Sequence, residues 1–326
     1  MPQPQTQTLG TAPASPSSPF RIVDDFLPRE LAESMRADID AHFGNPTAHT
    51  GQTHQIWNYW YVPGQYTYLR TAPEKIMQRA SVESFLGRLR QWSTQTLGLA
   101  KVGSPYLSFY VSGCRQGLHN DSRNGRFAFV YSLTRNERQT TGGQTLILHE
   151  GDPFRRNLRT GNAGRGLHEL IEPRFNRLVV FDDRLVHAVE RVEGPMDPLQ
   201  ARFVMHGHIE ETAPVVVGGL RPEQLLEQLR LTLERFLGGL TTSAAIHHGP
   251  LVLRFGITPA GRVVQLQVLV DRVFSDAESS VVWDTLRARL ISLLESTEFP
   301  SSAEPTTVTL PISIGGPVQH RKPASS

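Results

Sequence analysis

Cysteine is nearly absent from this sequence of 326 residues, which contains Cys114 alone. One thiol excludes an internal disulfide and is typical of proteins from a reducing compartment, so we expect a cytoplasmic location. Cys114 follows Gly113 without the histidine and asparagine context of a catalytic thiol. We therefore interpret it as an inert side chain.

Long apolar runs and a strong net charge are missing as well. No stretch approaches the ~20 apolar residues that a membrane-spanning helix needs, so we expect no membrane association. The first residues lack the basic and apolar regions of a secretory signal. The formal net charge is only +2. This near-neutral balance gives little support to nucleic-acid binding, which needs basic residues gathered on one face, and we expect no nucleic-acid partner.

The residues that are present divide the chain into two units with unstructured ends. Residues 1–19 are rich in Pro, Gln, Thr and Ser and cannot bury enough apolar area to fold, so we expect a disordered tail. Apolar residues at helical spacing follow Phe20, and from Pro105 short β runs alternate with turn residues. Five such runs after helices predict an α+β domain over residues 20–211, with a double-stranded β-helix, or jelly roll, as its core.

A second, smaller α/β domain is predicted after a linker at residues 212–221. Between residues 222 and 316, apolar positions first repeat at helical spacing, then alternate along two strands, and then give another helix and strand. This α-β-β-α-β pattern has enough apolar positions for a core of its own. We expect this unit to make no contribution to a metal site, and residues 317–326 to form a frayed tail.

Three residues with metal-binding side chains stand out in the first unit. His119 and Asp121 are two positions apart, and on an extended backbone both side chains point the same way. His187 follows an apolar strand that ends at Phe181. Two histidines and one carboxylate on one face of an iron ion leave positions open for 2-oxoglutarate and dioxygen, as in non-haem iron(II) oxygenases. The alternative is a turn in which Asp121 bonds the nearby backbone.

Two arginines compete for the role of co-substrate anchor. Arg202 opens a predicted strand fifteen positions after His187. Its guanidinium can hold the distal carboxylate of 2-oxoglutarate through two parallel charge-assisted bonds, which lysine cannot reproduce. Arg191 is nearer to His187 but lacks the strand context, and residues 193–200 look like a loop insertion between the two. We expect Arg202 to be the anchor.

The stretch from Tyr106 to Glu211 resembles the catalytic core of prolyl-hydroxylase-like 2-oxoglutarate oxygenases, and the resemblance extends to residues 20–43. The pieces that carry it occur in the family's order: Phe109–Gly113, His119–Arg126, Val130–Leu133, Thr141–Gln144, Pro173–Phe181 and His187–Val189. The resemblance implies that His119, Asp121 and His187 bind Fe(II) and that Arg202 and Tyr110 bind 2-oxoglutarate. It implies no catalytic residue beyond the metal ligands.

The same resemblance implies hydroxylation of a C–H bond, conversion of 2-oxoglutarate to succinate, and ascorbate as the reductant. The substrate would be a residue of a protein, an amino acid or a small molecule. Two alternatives stay open: a non-catalytic jelly-roll binding module, and a zinc-dependent hydrolase that uses the same ligands. His206 and His208 form a second His-x-His at strand spacing, and we expect them on the sheet surface or the pocket wall.

The C-terminal unit carries no catalytic cluster in its sequence. Its Phe255–Val263 and Glu298–Pro300 segments resemble the C-terminal domain of TonB-type proteins. Modules of this kind bind partners through an edge strand, so the resemblance implies a protein partner or self-association.

Overall fold

The computed structural model describes residues 15–45, 47, 50–122, 124–149, 166–240, 247–275 and 281–315. Within these ranges the α-helices are α1 (Arg29–Phe43), α2 (Gly51–His54), α3 (Arg79–Thr96), α4 (Pro222–Leu240) and α5 (Val281–Glu295), with 3-10 turns at Pro73–Lys75 and Pro198–Gln200. The strands are β1 (Phe20–Val23), β2 (Asn58–Val62), β3 (Tyr66–Thr71), β4 (Lys101–Val102), β5 (Tyr106–Tyr110), β6 (Arg115–His119), β7 (Phe127–Ser132), β8 (Thr145–Leu148), β9 (His168–Ile171), β10 (Arg177–Asp182), β11 (His187–Val189), β12 (Arg202–Glu210), β13 (Val215–Gly218), β14 (His247–Ile257), β15 (Val263–Asp271), β16 (Phe274–Ser275) and β17 (Thr306–Ile314).

The N-terminal unit, residues 15–211 within the described ranges, is built on one curled antiparallel sheet of β1 to β12. Its order is β1-β10-β7-β12-β5-β3-β6-β11-β8-β9, with β2 paired to β3 and β4 paired to β12. Strands that are distant in sequence thus become neighbours: β12 lies between β7 and β5, and β11 lies between β6 and β8. The sheet and the helices that precede it confirm the predicted α+β class with a jelly-roll core.

Helices α1 and α3 share the core of this sheet because each presents a stripe of apolar residues at helical spacing. Met35 and Ile39 of α1 are fully buried, as is Phe85 of α3. The ring of Phe85 lies 4.9 Å from the ring of Tyr131 on β7, measured between centroids. These contacts support the sheet from the side of the helices.

The C-terminal unit, residues 215–315 within the described ranges, forms a second sheet of order β13-β17-β14-β15, with β16 paired to β14. After β13, its elements run α4, β14, β15, β16, α5 and β17, which adds the two-residue β16 to the predicted α-β-β-α-β order. Because side chains alternate along β14, its two faces pack differently. Leu251 and Leu253 join the core that this unit forms with α4 and α5, whereas Val252 and Val270 join the core of the N-terminal unit. Side chains of the two units therefore pack against each other, and the boundary between the units remains a prediction.

Part of the segment predicted to be a linker, residues 212–221, is a strand. Val215–Gly218 forms β13, which pairs with β17 at the edge of the second sheet. Three consecutive valines favour a strand. The run is short and lies between Pro214 and Gly219, which is why its sequence has linker character.

The predicted N-terminal tail is described in part. Residues 1–14 lie outside the described residues, as does the predicted tail at residues 317–326. Residues 15–19 run between the two units instead of forming a free tail. The carbonyl of Pro16 accepts the N–H of Asp271 at 3.0 Å, and the carbonyl of Pro19 accepts the N–H of Asp182 at 3.1 Å. No described helix is long and apolar enough to cross a membrane.

Candidate metal centre

The three predicted metal ligands lie together at one end of a cleft in the N-terminal unit. His119 ends β6 and His187 begins β11, and the two residues are paired across these strands. Asp121 follows His119 by two positions. One ligand atom from each residue lies within 4.8 Å of the other two. Nε2 of His187 is 3.5 Å from Oδ2 of Asp121.

Backbone carbonyls determine which nitrogen each histidine offers. Nδ1 of His119 is 2.8 Å from the carbonyl oxygen of Gly117, and Nδ1 of His187 is 2.9 Å from that of Leu185. Because a carbonyl oxygen only accepts, each Nδ1 carries the proton and leaves the lone pair on Nε2. Nε2 of His187 faces the Asp121 carboxylate, so the pair favours a cation between them, either a proton or a metal ion. The donor set therefore fits a metal ion.

The electrostatics of the site favour the protonation states that bind a cation. Burial, followed by the neighbouring His187, lowers the pKa of His119, so its ring is neutral near pH 7. Burial alone would raise the pKa of Asp121, but the hydrogen bond with His187 and the charges of the nearby histidines hold it below its usual value. Neutral imidazole and ionised carboxylate are the forms that coordinate metals.

The other end of the cleft holds a buried arginine with unsatisfied nitrogens. Arg202 begins β12 and is 2% exposed. Its Nη2 donates to Oγ1 of Thr145 at 3.3 Å, whereas Nε and Nη1 have no hydrogen-bond partner among the described residues. Burial lowers the pKa of Arg202. A buried cation without partners is costly, so these two nitrogens fit an anion such as a carboxylate.

Tyr110 lies beside Arg202, and Arg191 does not. Tyr110 and Arg202 are cross-strand partners on β5 and β12, and Cζ of Arg202 is 4.7 Å from the centroid of the Tyr110 ring. Burial raises the pKa of Tyr110, so its hydroxyl stays neutral and can donate. The Arg191 side chain is 58% exposed and pairs with Glu193 at 2.6 Å. Of the two candidate anchors, Arg202 is the one that faces the cleft.

Gly143 makes room for the Arg202 side chain. Its φ of 75° is in the left-handed region, which glycine adopts without strain. A Cβ at this position would lie 2.9 Å from Cδ of Arg202. The turn that the Gly142-Gly143 pair predicts thus also allows the close approach of the guanidinium stem.

One cavity of about 520 Å³ joins the two ends of the cleft. The three metal-ligand candidates, Tyr110 and Arg202 all line it. Its other walls come mainly from β2, β3, β5 and β12 and include Trp60, Tyr66, Tyr68, Arg70, Tyr106, His206 and His208. The two histidines of the His-x-His therefore lie on the pocket wall, one of the two places expected for them.

Gln116 is a cavity residue that the sequence did not indicate. It accepts from the Tyr110 hydroxyl at 3.3 Å, and its Nε2 lies 3.1 Å from Nε2 of His119. Residues three apart on a regular strand face opposite ways. The three positions of β6 from Gln116 to His119 pair with only two positions of β11, from Val189 to His187. The register therefore shifts, and the side chains of Gln116 and His119 both enter the cavity. A bulge of this kind leaves no signal in composition or spacing.

Comparison with known proteins finds one family model and several solved structures that are similar to this chain. Residues 106–210 match the model of the 2OG-Fe(II) oxygenase superfamily. No curated protein matches the sequence. Similar solved structures include a prolyl hydroxylase from Trichoplax adhaerens in complex with a hypoxia-inducible-factor peptide (14% identity, TM-score 0.42, 58% of this chain and 81% of that chain) and a Pseudomonas putida prolyl-4-hydroxylase (16%, 0.42, 59% and 92%). Another is SnoN, a non-heme α-ketoglutarate-dependent epimerase from nogalamycin biosynthesis (13%, 0.40, 58% and 77%).

The family match covers about a third of the chain, from β5 to the end of β12. It includes every residue that lines the two ends of the cleft and that the sequence singled out: Tyr110, His119, Asp121, His187 and Arg202. Residues 106–210 are thus similar to the 2OG-Fe(II) oxygenase superfamily.

Proposed function

We propose that this protein is an oxygenase that uses iron(II) and 2-oxoglutarate to hydroxylate a C–H bond of a protein residue, an amino acid or a small molecule. The observation that carries the proposal is one cavity with a set of metal donors at one end and an orphaned, buried guanidinium at the other. 2-Oxoglutarate suits both ends, since its 2-oxo acid group chelates a metal and its distal carboxylate pairs with a cation.

His119, Asp121 and His187 are the proposed iron ligands. The argument rests on their chemistry as much as on their proximity. Both histidines are held by backbone carbonyls in the tautomer that presents Nε2, and the carboxylate pKa is lowered. Two imidazoles and one carboxylate leave several coordination positions free for co-substrate and dioxygen.

Arg202 and Tyr110 are the proposed binding residues for the distal carboxylate of 2-oxoglutarate. Nε and Nη1 of Arg202 are the donors that have no protein partner among the described residues. Either of these nitrogens, together with the second hydrogen of Nη2, presents the parallel donors that match the two oxygens of a carboxylate. The neutral Tyr110 hydroxyl, which donates to Gln116 at 3.3 Å, would turn its proton to the carboxylate and add a third donor.

When bound, iron(II) and 2-oxoglutarate supply the oxidation of the substrate C–H bond by dioxygen, with 2-oxoglutarate leaving as succinate and carbon dioxide. The residues of the chain orient these groups and limit the access of water. The Phe181 ring packs edge-to-face on His187 at 4.7 Å between centroids, and the Tyr66 ring packs on His119 at 5.4 Å. Rings in these positions restrict water and hold the imidazoles in place.

Three further proposals depend on this assignment or on the sequence. Ascorbate would keep the iron in its reduced form between turnovers. The cytoplasm is the proposed location, because the single Cys114 is buried and unpaired and fits a reducing compartment. A protein partner or a second copy of the chain is proposed for the exposed edge of the second sheet, where β15 pairs on one side only among the described strands.

The experiment that tests the function measures binding before turnover. Purified protein under anaerobic conditions should give the visible charge-transfer absorption of an iron(II)–2-oxoglutarate chelate only when both are added. With oxygen and ascorbate, succinate should then form and should increase when the true substrate is present. Arg191→Lys is the matched control for changes at Arg202, because Arg191 is exposed and outside the cavity.

Two results would overturn the proposal. Binding of zinc with hydrolysis of a test ester, and no dependence on 2-oxoglutarate, would identify the zinc-dependent hydrolase. Absence of any divalent metal from a folded protein, together with no charge-transfer absorption, would identify the non-catalytic binding module.

A further inference from the structure

The turn after β10 holds two of the three proposed ligands through its backbone. We name residues Asp182 to Leu185 the ligand turn. The carbonyl of Asp183 accepts the N–H of Asp121 at 2.8 Å, and the carbonyl of Leu185 accepts the Nδ1 proton of His187 at 2.9 Å. A shift of this turn would therefore change both the position of the carboxylate ligand and the orientation of the imidazole.

The ligand turn is fixed by the fully buried carboxylate of Asp182. Arg184 donates to it from its backbone N–H at 3.1 Å, from Nε at 2.9 Å and from Nη2 at 2.5 Å. A second arginine, Arg272, donates from Nε at 3.2 Å. Burial alone would raise the pKa of Asp182, but these arginines hold it below its usual value, so the carboxylate is charged and bonded.

Arg272 comes from the C-terminal unit, between β15 and β16. Its side chain is buried, and Nη1 donates to the carbonyl of Ser17 at 2.9 Å. Its own carbonyl accepts from Nη2 of Arg184 at 2.7 Å, and its N–H donates to Pro250 on β14. Arg272 is thus tied to the second sheet at one end and to the ligand turn at the other.

A second arginine of the C-terminal unit reaches a different part of the N-terminal unit. Arg254 on β14 donates to the carbonyls of Thr94 and Gln95 at the end of α3, at 2.6 Å and 3.3 Å. Neither carbonyl belongs to the ligand turn. Arg254 therefore provides an internal comparison, because it also bridges the two units but does not contact residues that hold the ligands.

We propose that Arg272 is a positioning residue of the metal centre, through which the C-terminal unit sets the ligand turn. The inference rests on the proposed metal site. It departs from the sequence-based expectation that the C-terminal unit makes no contribution to that site. Without Arg272, Asp182 keeps only the bonds from Arg184, which belongs to the same turn. The turn would then be attached to the C-terminal unit only through Arg184, which donates to the Arg272 carbonyl, and would present Asp121 and His187 less uniformly.

The test measures metal binding in the full-length protein without relying on turnover. Manganese(II), followed by its electron paramagnetic resonance signal, is the probe. We expect Arg272→Met to raise the Kd for manganese(II) roughly tenfold, the lower end of the effect of losing an outer partner of a metal ligand. Arg254→Met should leave this Kd within about twofold of wild type. Arg272→Lys keeps a charge beside Asp182 and should fall nearer to wild type than Arg272→Met.

Hydrogen exchange gives a second readout on the metal-free protein, and Arg272→Lys provides it if Arg272→Met does not fold. The Asp121 amide, bonded to the Asp183 carbonyl, should exchange faster in the Arg272 variants, whereas amides of β17 should not. Equal manganese(II) affinity in wild type and Arg272→Met, or an equal loss in Arg254→Met, would overturn the inference. Wild-type protein that binds no manganese(II) would instead contradict the proposed function itself.

Discussion

Two buried charged groups, one in each unit of this protein, differ in whether the chain satisfies them. In the C-terminal unit, the buried carboxylate of Asp271 accepts from Nε1 of Trp283 at 3.0 Å and pairs with Arg287. In the N-terminal unit, Arg202 is at least as buried, yet two of its nitrogens have no partner in the described part of the chain. A buried polar group without a partner costs about 1–3 kcal/mol. A fold keeps such a group where a ligand supplies the partner.

The same contrast separates residues that bind ligands from residues that stabilise the fold. The cleft of the N-terminal unit is lined by polar groups whose loss should change ligand affinity. The core of the C-terminal unit is made of leucine, phenylalanine and tryptophan, whose loss should change stability. Arg272 is the point where the two roles meet, because a buried contact of the second unit holds the ligand turn of the first. Variants on each side test this separation.

The largest effect is expected from His119→Ala. The change removes one of three proposed metal donors, so iron binding and succinate formation should fall to background. The fold should remain, because His119 lies at the end of β6 and is only half-buried. Circular dichroism and manganese(II) titration measure the two properties separately. His168→Ala, an exposed histidine on β9, is the control. Metal binding retained in His119→Ala would contradict the expectation that loss of a polar cleft residue changes ligand affinity.

A smaller effect, on stability and not on ligand binding, is expected from a change in the C-terminal core. Leu310 on β17 is 2% exposed, and Leu310→Ala should lower the free energy of unfolding by about 2–5 kcal/mol through the cavity it leaves. Chemical denaturation measures the loss. The apparent requirement for 2-oxoglutarate of the remaining folded protein should not change, because Leu310 does not line the cleft. A raised requirement at unchanged stability would mean that this core is part of the site.

Sequence reasoning reached part of the site because some of its residues have a local signal. His119 and Asp121 are two apart, and an extended backbone places their side chains together. Arg202 was predicted to open a strand, and β12 does begin at this residue. The pairing of His187 with His119 could not be read from the sequence, because it depends on which strands become neighbours in the sheet. For His187, the resemblance to a family predicted the role of third metal ligand, which residue spacing alone does not.

Other features have no local signal at all. Asp182 and Arg272 are 90 positions apart, and each looks like an ordinary loop charge in the sequence. The strand β6 contains Arg115, Gln116 and Gly117, so its composition does not indicate a strand. β13 was predicted to be a linker because its neighbours are Pro214 and Gly219. In each case, the long-range partner rather than the residue type determines the structure.

An intermediate effect, on the affinity for 2-oxoglutarate, is expected from a change of Arg202, the proposed co-substrate anchor. Arg202→Lys keeps the charge but loses the paired donors, so the apparent KM for 2-oxoglutarate should rise roughly 10- to 100-fold, the cost of one hydrogen bond to a charged group. Metal affinity measured without 2-oxoglutarate should change little. Arg191→Lys should behave as wild type in both assays. If Arg191→Lys raised the KM and Arg202→Lys did not, the anchor would be Arg191.

The smallest effect is expected from the pH dependence of stability at His206. Burial, with Arg202 next, lowers the pKa of His206 to about 3, and Oγ of Ser108 lies 2.8 Å from its Nε2. In the unfolded chain the ring titrates near pH 6.5. Below that pH the unfolded state takes up a proton that the folded state does not, so wild type loses stability as pH falls from about 6.5 towards 3.

His206→Gln removes this loss because glutamine does not titrate. The unfolding free energies of wild type and His206→Gln, measured by denaturation without metal or co-substrate, should differ by a constant amount above pH 7.5. Below pH 6.5 the difference should shift in favour of the variant, by about 2 kcal/mol at pH 5. All other titrating groups are common to both proteins, so their contributions cancel. Parallel curves from pH 8 to pH 5 would show that His206 is protonated equally in both states. Water would then reach His206 in the folded protein, although the neighbouring Arg202 is buried.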